Sequence, residues 1–256
     1  MSDLARFDLT GKYALVIGGV GAIGSAQALG LAQCGADIAI ADVKLEPFEE
    51  LAKKIRALGR KTMAITVDVT KEQSAADMVS SVLKEFPRID ILVNAFGMAI
   101  RKAPEVMPVE EWRKVVDVNS CGTFICCQAV GRQMIKQKSG KIVNISSVRG
   151  SFGADGAIAY SPSKGAVDSM TRTFAFEWAK HNIYVNAIAP TVVETALTKP
   201  LLANPVTAKA LVGHIPFGRL AQLEDLVGPT IFLASKASDF ITGQIIFIDG
   251  GMTIGM

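Results

Sequence analysis

Short apolar runs alternate with longer amphipathic stretches along almost the whole chain. Seven runs rich in Val, Ile and Ala, at 13–17, 37–41, 63–67, 91–93, 141–145, 184–188 and 245–248, are hydrophobic at nearly every position. A strand with one wet face alternates polar and apolar residues. A strand covered on both faces does not, so these runs predict parallel strands inside a sheet. Between them, apolar residues recur at helical spacing over 23–34, 47–58, 71–86, 109–137, 157–180 and 223–234. Strand and helix alternating in this order predict an α/β fold: a Rossmann-type, doubly wound, seven-stranded parallel sheet flanked by helices, with 1–256 as one domain. Breakers stand where the scheme needs them, Gly35, Gly59 and Pro87 each following one of the first three helices. The stretch 191–218 has no strand and holds Pro200, Pro205 and Pro216, so it is expected to be a short helical excursion covering the site. Ligands of such sheets bind beyond the C-terminal strand ends, where the candidate chemistry also falls.

Composition narrows the class. Half of the 256 residues are apolar and a fifth charged, as in a water-soluble domain with a sizeable core. A formal charge of +3, with Lys and Arg scattered, gives no ground for a nucleic-acid partner. No apolar run reaches the roughly 18 residues of a membrane span, and the stretch 1–8 carries two acids and no apolar run, unlike a signal peptide. The expected location is the cytoplasm. Cys34, Cys121, Cys126 and Cys127 form no Cys-x-x-Cys pair, and His181 and His214 are the only histidines. The expectation is reduced structural thiols, with Cys121, Cys126 and Cys127 in a buried helix, and no metal.

The first strand runs into Ile17-Gly18-Gly19-Val20-Gly21-Ala22-Ile23-Gly24 and then a helix. Glycines at such a junction allow a tight turn and let backbone N–H groups approach a pyrophosphate at the positive helix end. Asp42 ends the second strand, eighteen residues past Gly24. That is close to the spacing of the acid that binds the adenosine ribose hydroxyls. A carboxylate there repels a 2′-phosphate, and Val43 supplies no counter-charge, so NAD is favoured; Lys44 leaves NADP possible.

Tyr160-Ser161-Pro162-Ser163-Lys164 places a phenol and an ammonium four residues apart on one helix face, and Ser147 lies at a strand end thirteen residues upstream. A free tyrosine titrates near pH 10 and is a poor base at neutrality. The nearby cation is expected to favour the phenolate and bring Tyr160 into range for acid–base catalysis.

With these residues in place, 7–251 resembles the short-chain dehydrogenase/reductase family. The resemblance implies that Gly18, Ala22 and Gly24 fill the glycine positions of its Thr-Gly-x-x-x-Gly-x-Gly loop, with Gly21 and Ile23 between them. It implies that Asp68 and Val69 hold the adenine, and that Asn94-Ala95-Phe96-Gly97 matches the Asn-Asn-Ala-Gly segment after the fourth strand. Asn119 would support a proton-relay water and Ser147 would orient the substrate oxygen. Tyr160 would exchange the proton, and Lys164 would bind the nicotinamide ribose. Pro190, Val193 and Thr195 would cradle the carboxamide, and Asp249-Gly250-Gly251 matches the C-terminal signature. Ile17, Ala22, Ala95, Phe96 and Thr191 depart from the pattern; Asn119, Ser147, Tyr160 and Lys164 do not.

The reaction implied is hydride transfer between a nicotinamide and a secondary alcohol or ketone. Phe7-Asp8-Leu9-Thr10-Gly11-Lys12, Ser147-Val148-Arg149-Gly150 and the tail 217–251 resemble sugar-acid and polyol dehydrogenases of the gluconate 5-dehydrogenase type. A 3-oxoacyl-carrier-protein reductase and a non-catalytic dinucleotide-binding regulator are the alternatives. The first usually carries basic residues near the adenosine. The second normally lacks the tyrosine or the lysine, and this chain keeps both. Arg149, two residues past Ser147, is the candidate for substrate recognition, with a solvent-facing role or a pairing with Asp155 as the other reading. A homotetramer is implied by the resemblance.

Overall fold

The computed structural model describes residues 3–255. Its centre is a single parallel sheet of seven strands: β1 Tyr13–Ile17, β2 Asp37–Asp42, β3 Thr62–Thr66, β4 Ile91–Asn94, β5 Gly140–Ile145, β6 Ile183–Pro190 and β7 Ile245–Ile248. The order across the sheet is β3-β2-β1-β4-β5-β6-β7. The chain enters at β1, builds outward to β3, and then crosses back to lay β4 against the other side of β1. This reversal opens a crevice above the C-terminal ends of β1 and β4.

The continuous hydrophobicity of the strands is explained by cover on both faces. Ala14 and Val16 of β1 join a core with α1 (Ala22–Gln33), α2 (Phe48–Ala57) and α9 (Leu223–Ala234). Leu15 and Ile17, pointing the other way, join a second core with α3 (Glu72–Glu85), α5 (Gly122–Gln137) and α6 (Tyr160–Trp178). Each fully buried Leu or Ile contributes roughly 1.5–3 kcal/mol, so the two layers dominate the folding energy. Ile17, where the family pattern has threonine, is fully buried in the second layer.

The elements differ from the sequence reading in three places. The helix expected over 109–137 is two helices, α4 (Val109–Val116) and α5, joined by a π-helical turn at Asp117–Cys121. Cys121, on that turn, is exposed rather than buried; Cys126 and Cys127 are buried as expected. The helix expected from 157 starts at Tyr160, because Ala157 is held in a β-bridge with Lys102. The stretch 191–218 does hold helices, α7 (Lys199–Leu202) and α8 (Pro205–Gly213), the latter capped by the Asn204 side chain. A bridge between Val193 and Ala221 ties the two ends of that excursion together. Among the described residues, no helix is long and apolar enough to cross a membrane.

Candidate active site

Three adjoining clefts of about 350, 410 and 440 Å³ form one groove along the C-terminal edge of the sheet. The first is walled by Gly18, Asp42, Val43, Asp68 and Val69 and shares Gly21, Ala95 and Gly97 with the second. The second adds Ala22, Ile23, Lys164, Pro190, Val193 and Thr195, and it shares Ser147 and Tyr160 with the third. Arg149 lines the third. The sequence-predicted residues thus converge, with three exceptions. Gly24, Asn94 and Asn119 do not line the groove and act from behind it.

Gly18 takes φ +77°, and a side chain there would meet the Ala95 carbonyl at 2.8 Å and the Phe96 nitrogen at 2.7 Å. Only glycine lets the loops after β1 and β4 pass this closely. A Cβ on Gly24 would strike the Gly18 carbonyl, so the first turn of α1 packs directly beneath the loop. Ala22, at a glycine position of the family pattern, lines the second cleft. The Asp42 carboxylate accepts the Val20 N–H at 3.3 Å and the Val43 N–H at 2.8 Å, bracing the glycine loop from the end of β2. Asp68 accepts both the N–H and the hydroxyl of Thr70, at 3.0 and 2.7 Å, and these bonds lower its pKa.

Asn94 is buried between strands, donating to Asn144 Oδ1 at 2.9 Å and to Cys127 Sγ at 3.3 Å. Its side chain fixes β4 to β5 below the groove. Asn119 is equally buried, on the π-helical turn. Its Oδ1 accepts the Met98 N–H at 2.8 Å, and its Nδ2 donates to the Met98 carbonyl and to Ser163 Oγ, both at 2.9 Å. It therefore clamps the loop after β4 onto α6.

Ser147 ends the segment leaving β5, and its Oγ accepts the Arg149 N–H at 3.1 Å. Tyr160 opens α6, and its side chain lines the same cleft as Ser147, which acts to lower the phenol's pKa. One turn on, the Lys164 Nζ donates to the Ile145 carbonyl at 2.7 Å and lies 5.9 Å from the Tyr160 ring centroid. Burial pushes the Lys164 pKa down to about 8, against the pull of the Asp168 carboxylate. Burial also raises the Tyr160 pKa; Ser147 and then the Arg101 and Arg149 charges act against it. The Lys164 ammonium lies over the phenol ring while donating to the Ile145 carbonyl, and Arg101 and Arg149 are further cations that act on the phenol.

Arg149 makes no ion pair with Asp155; its Nη1 donates to the Gly153 carbonyl at 2.7 Å, and it stays partly buried in the cleft wall. Arg101, His214 and Asp155 line the same cleft, and the sequence reading missed all three as part of it. The available signal for Arg101 was its place on the loop after β4, four residues beyond Gly97. His214 is positioned by α8, with Nδ1 2.7 Å from the Ala210 carbonyl. Among the described residues, no group of three or more His, Cys, Asp or Glu side chains is arranged to hold a metal.

The chain is similar throughout to known proteins. A family model described as enoyl-(acyl carrier protein) reductase matches residues 19–253. The 5-keto-D-gluconate 5-reductase of Escherichia coli strain K12 is 38% identical over 256 residues, covering both chains completely. The NAD-dependent glycerol dehydrogenase of Listeria innocua serovar 6a is 39% identical over 248 residues, 97% of this chain and 96% of that protein. Among solved structures, a gluconate 5-dehydrogenase from Burkholderia cenocepacia J2315, in complex with NADP and tartrate, superposes with a TM-score of 0.95. It is 36% identical over 99% of each chain.

Proposed function

Because the chain belongs to the short-chain dehydrogenase/reductase family, we propose that it interconverts a secondary alcohol and a ketone on a sugar acid or polyol, with Tyr160 as the proton-exchanging group. The observation that carries this reading is the single groove that joins the glycine loop and Asp42 at one end to Ser147, Tyr160 and Lys164 at the other. Gly18, Gly21, Ala22 and Ile23 fit a pyrophosphate, Asp42 a ribose, Asp68 and Val69 an adenine, and Pro190, Val193 and Thr195 a carboxamide. A nicotinamide held there supplies the acceptor or donor of the hydride.

The chain's own groups handle the proton. In the oxidising direction the substrate hydroxyl, held by Ser147 Oγ, gives its proton to the Tyr160 phenolate; in reduction the neutral phenol returns it to the carbonyl oxygen. Lys164 is a near-neutral-pKa cation beside the phenol, suited to bind ribose hydroxyls. Asn119 keeps the loop after β4 in place against α6. The excursion 191–218, tied at its base by Val193 and Ala221, covers the substrate end of the groove. Asp42 supports NAD as the preferred cofactor. The relatives include a protein named as NAD-dependent and a structure holding NADP, so turnover has to be compared with both dinucleotides.

A carrier-protein reductase reading fits less well. Its thioester substrate has no anionic group near the reacting carbon, whereas two arginines stand beside Tyr160. A non-catalytic regulator has no use for an intact Tyr160–Lys164 pair. We place the protein in the cytoplasm, in line with its free thiols, and assign a homotetramer, supported by the exposed Trp112, Phe124 and Phe176 along α4, α5 and α6.

The deciding experiment is Tyr160→Phe. It should lower turnover by about 10²–10⁴-fold, the usual contribution of an acid–base group, while dinucleotide binding measured by fluorescence stays within about twofold. A loss smaller than about tenfold removes Tyr160 from the chemistry.

A further inference from the structure

Arg101 takes its place from backbone geometry. Lys102 pairs with Ala157 in a parallel bridge, its N–H donating to the Gly156 carbonyl at 3.2 Å. Successive side chains of extended backbone point to opposite sides. Lys102 turns to Glu111 of α4, 2.8 Å away, and Arg101 lines the substrate cleft. Arg149 reaches the same cleft from the turn after β5. Among the described residues neither guanidinium forms an ion pair, although Arg101 is close enough to Arg149 to raise the cost of its charge and Asp155 lines the same cavity. Two like charges that share a cleft without a counter-ion repel one another. A carboxylate between them relieves that repulsion and accepts forked N–H donors.

We infer that Arg101 completes, with Arg149, a two-guanidinium subsite that takes the carboxylate of the substrate beside Tyr160. The inference rests on the groove being the substrate site and narrows the substrate to hydroxy or keto acids. It also carries a signature that a packing role lacks. The groups around the Tyr160 phenol are Ser147 and Arg149 after β5, Arg101 after β4, Lys164 on α6, Asp155 before α6 and His214 after α8. Of these, Arg101 and Arg149 are the cations that lower its pKa. A carboxylate seated on them offsets their charge, so the phenol keeps its proton to higher pH with an acid than with a neutral polyol.

The probes are D-gluconate and sorbitol, which differ in a carboxylate against a hydroxymethyl group. Calorimetric titration into Tyr160→Phe protein saturated with dinucleotide should show gluconate binding at least about tenfold tighter than sorbitol. Arg101→Met and Arg149→Met should each remove most of that preference, the double variant should erase it, and Arg101→Lys should keep part of it. Where turnover is measured, the rising acid limb of the oxidation profile, which follows formation of the phenolate, should lie at higher pH for gluconate than for sorbitol, and the double variant should merge the two. No preference for gluconate, or an equal loss of both ligands in Arg101→Met, overturns the subsite. Full turnover by Tyr160→Phe would instead overturn the catalytic reading while leaving this binding result to stand or fall alone.

Discussion

The Lys164 ammonium is buried with the Ile145 carbonyl as its hydrogen-bond partner, and its pKa falls from 10.5 to about 8. The unfolded chain therefore holds this proton up to about pH 10.5, and the native chain only to about 8. Stability contributed here is lowest below pH 8 and recovers as pH rises from 8 toward 10.5. A shift of this size corresponds to on the order of 3 kcal/mol. Lys164→Met should accordingly raise the Tm of the dinucleotide-free protein at pH 7 by several degrees, at roughly 2–4 °C per kcal/mol, while turnover collapses. An unchanged or lower Tm would mean that the ammonium is held by more than one carbonyl. At the far end of the groove, Asp42 should make kcat/KM for NAD exceed that for NADP, with Asp42→Ala narrowing the gap. A native preference for NADP would assign the adenosine end to Lys44. Tyr160, Lys164 and Ser147 were legible because their relation is local: one helical turn, one strand end. The Ile145 carbonyl that accepts from Lys164 carries no signal of residue type. Arg101 reaches the site through a bridge between two loops 55 residues apart, beyond the reach of local spacing.

Between α4 and α5, the π-helical turn at Asp117–Cys121 is where the sequence pattern misled. A single wide turn shifts the helical phase slightly, and apolar residues on both sides still line up well enough to imitate one continuous helix. The seven strands were legible for the opposite reason, since burial on both faces leaves no polar position to blur them. Residues 157–159 look helical from their small apolar side chains, but the contact with Lys102 holds the chain in another conformation until Tyr160. The wide turn brings Asn119 within hydrogen-bond reach of Met98 and Ser163. Asn119→Ala removes three hydrogen bonds, one of them fully buried, and leaves the Met98 backbone groups without their side-chain partner. It should cost roughly 2–4 kcal/mol in denaturant unfolding and raise KM for dinucleotide, because the Gly97 loop loosens. A KM unaffected at measurable destabilisation would confine Asn119 to holding the fold.

At the scale of the molecule, the exposed apolar side chains include two groups that could serve an assembly. Trp112, Phe124 and Phe176 lie on α4, α5 and α6; Phe217, Phe247 and Ile254 lie toward the C-terminus. The proposed homotetramer would need two such patches, each pairing with its own copy across a two-fold axis. Light scattering at micromolar concentration should give about 109 kDa, four times the 27.2 kDa chain, and a mass near 27 kDa would refute the assembly. The sheet order has a further consequence. β7 is an outer strand, its Ile-Ile-Phe-Ile run only partly covered and its outer backbone groups unpaired within the described chain. Such an edge is a template for other strands. A protomer released by dilution or by a patch mutation would offer that template to its neighbours, so the loss of assembly should show itself first as turbidity, before any loss of secondary structure.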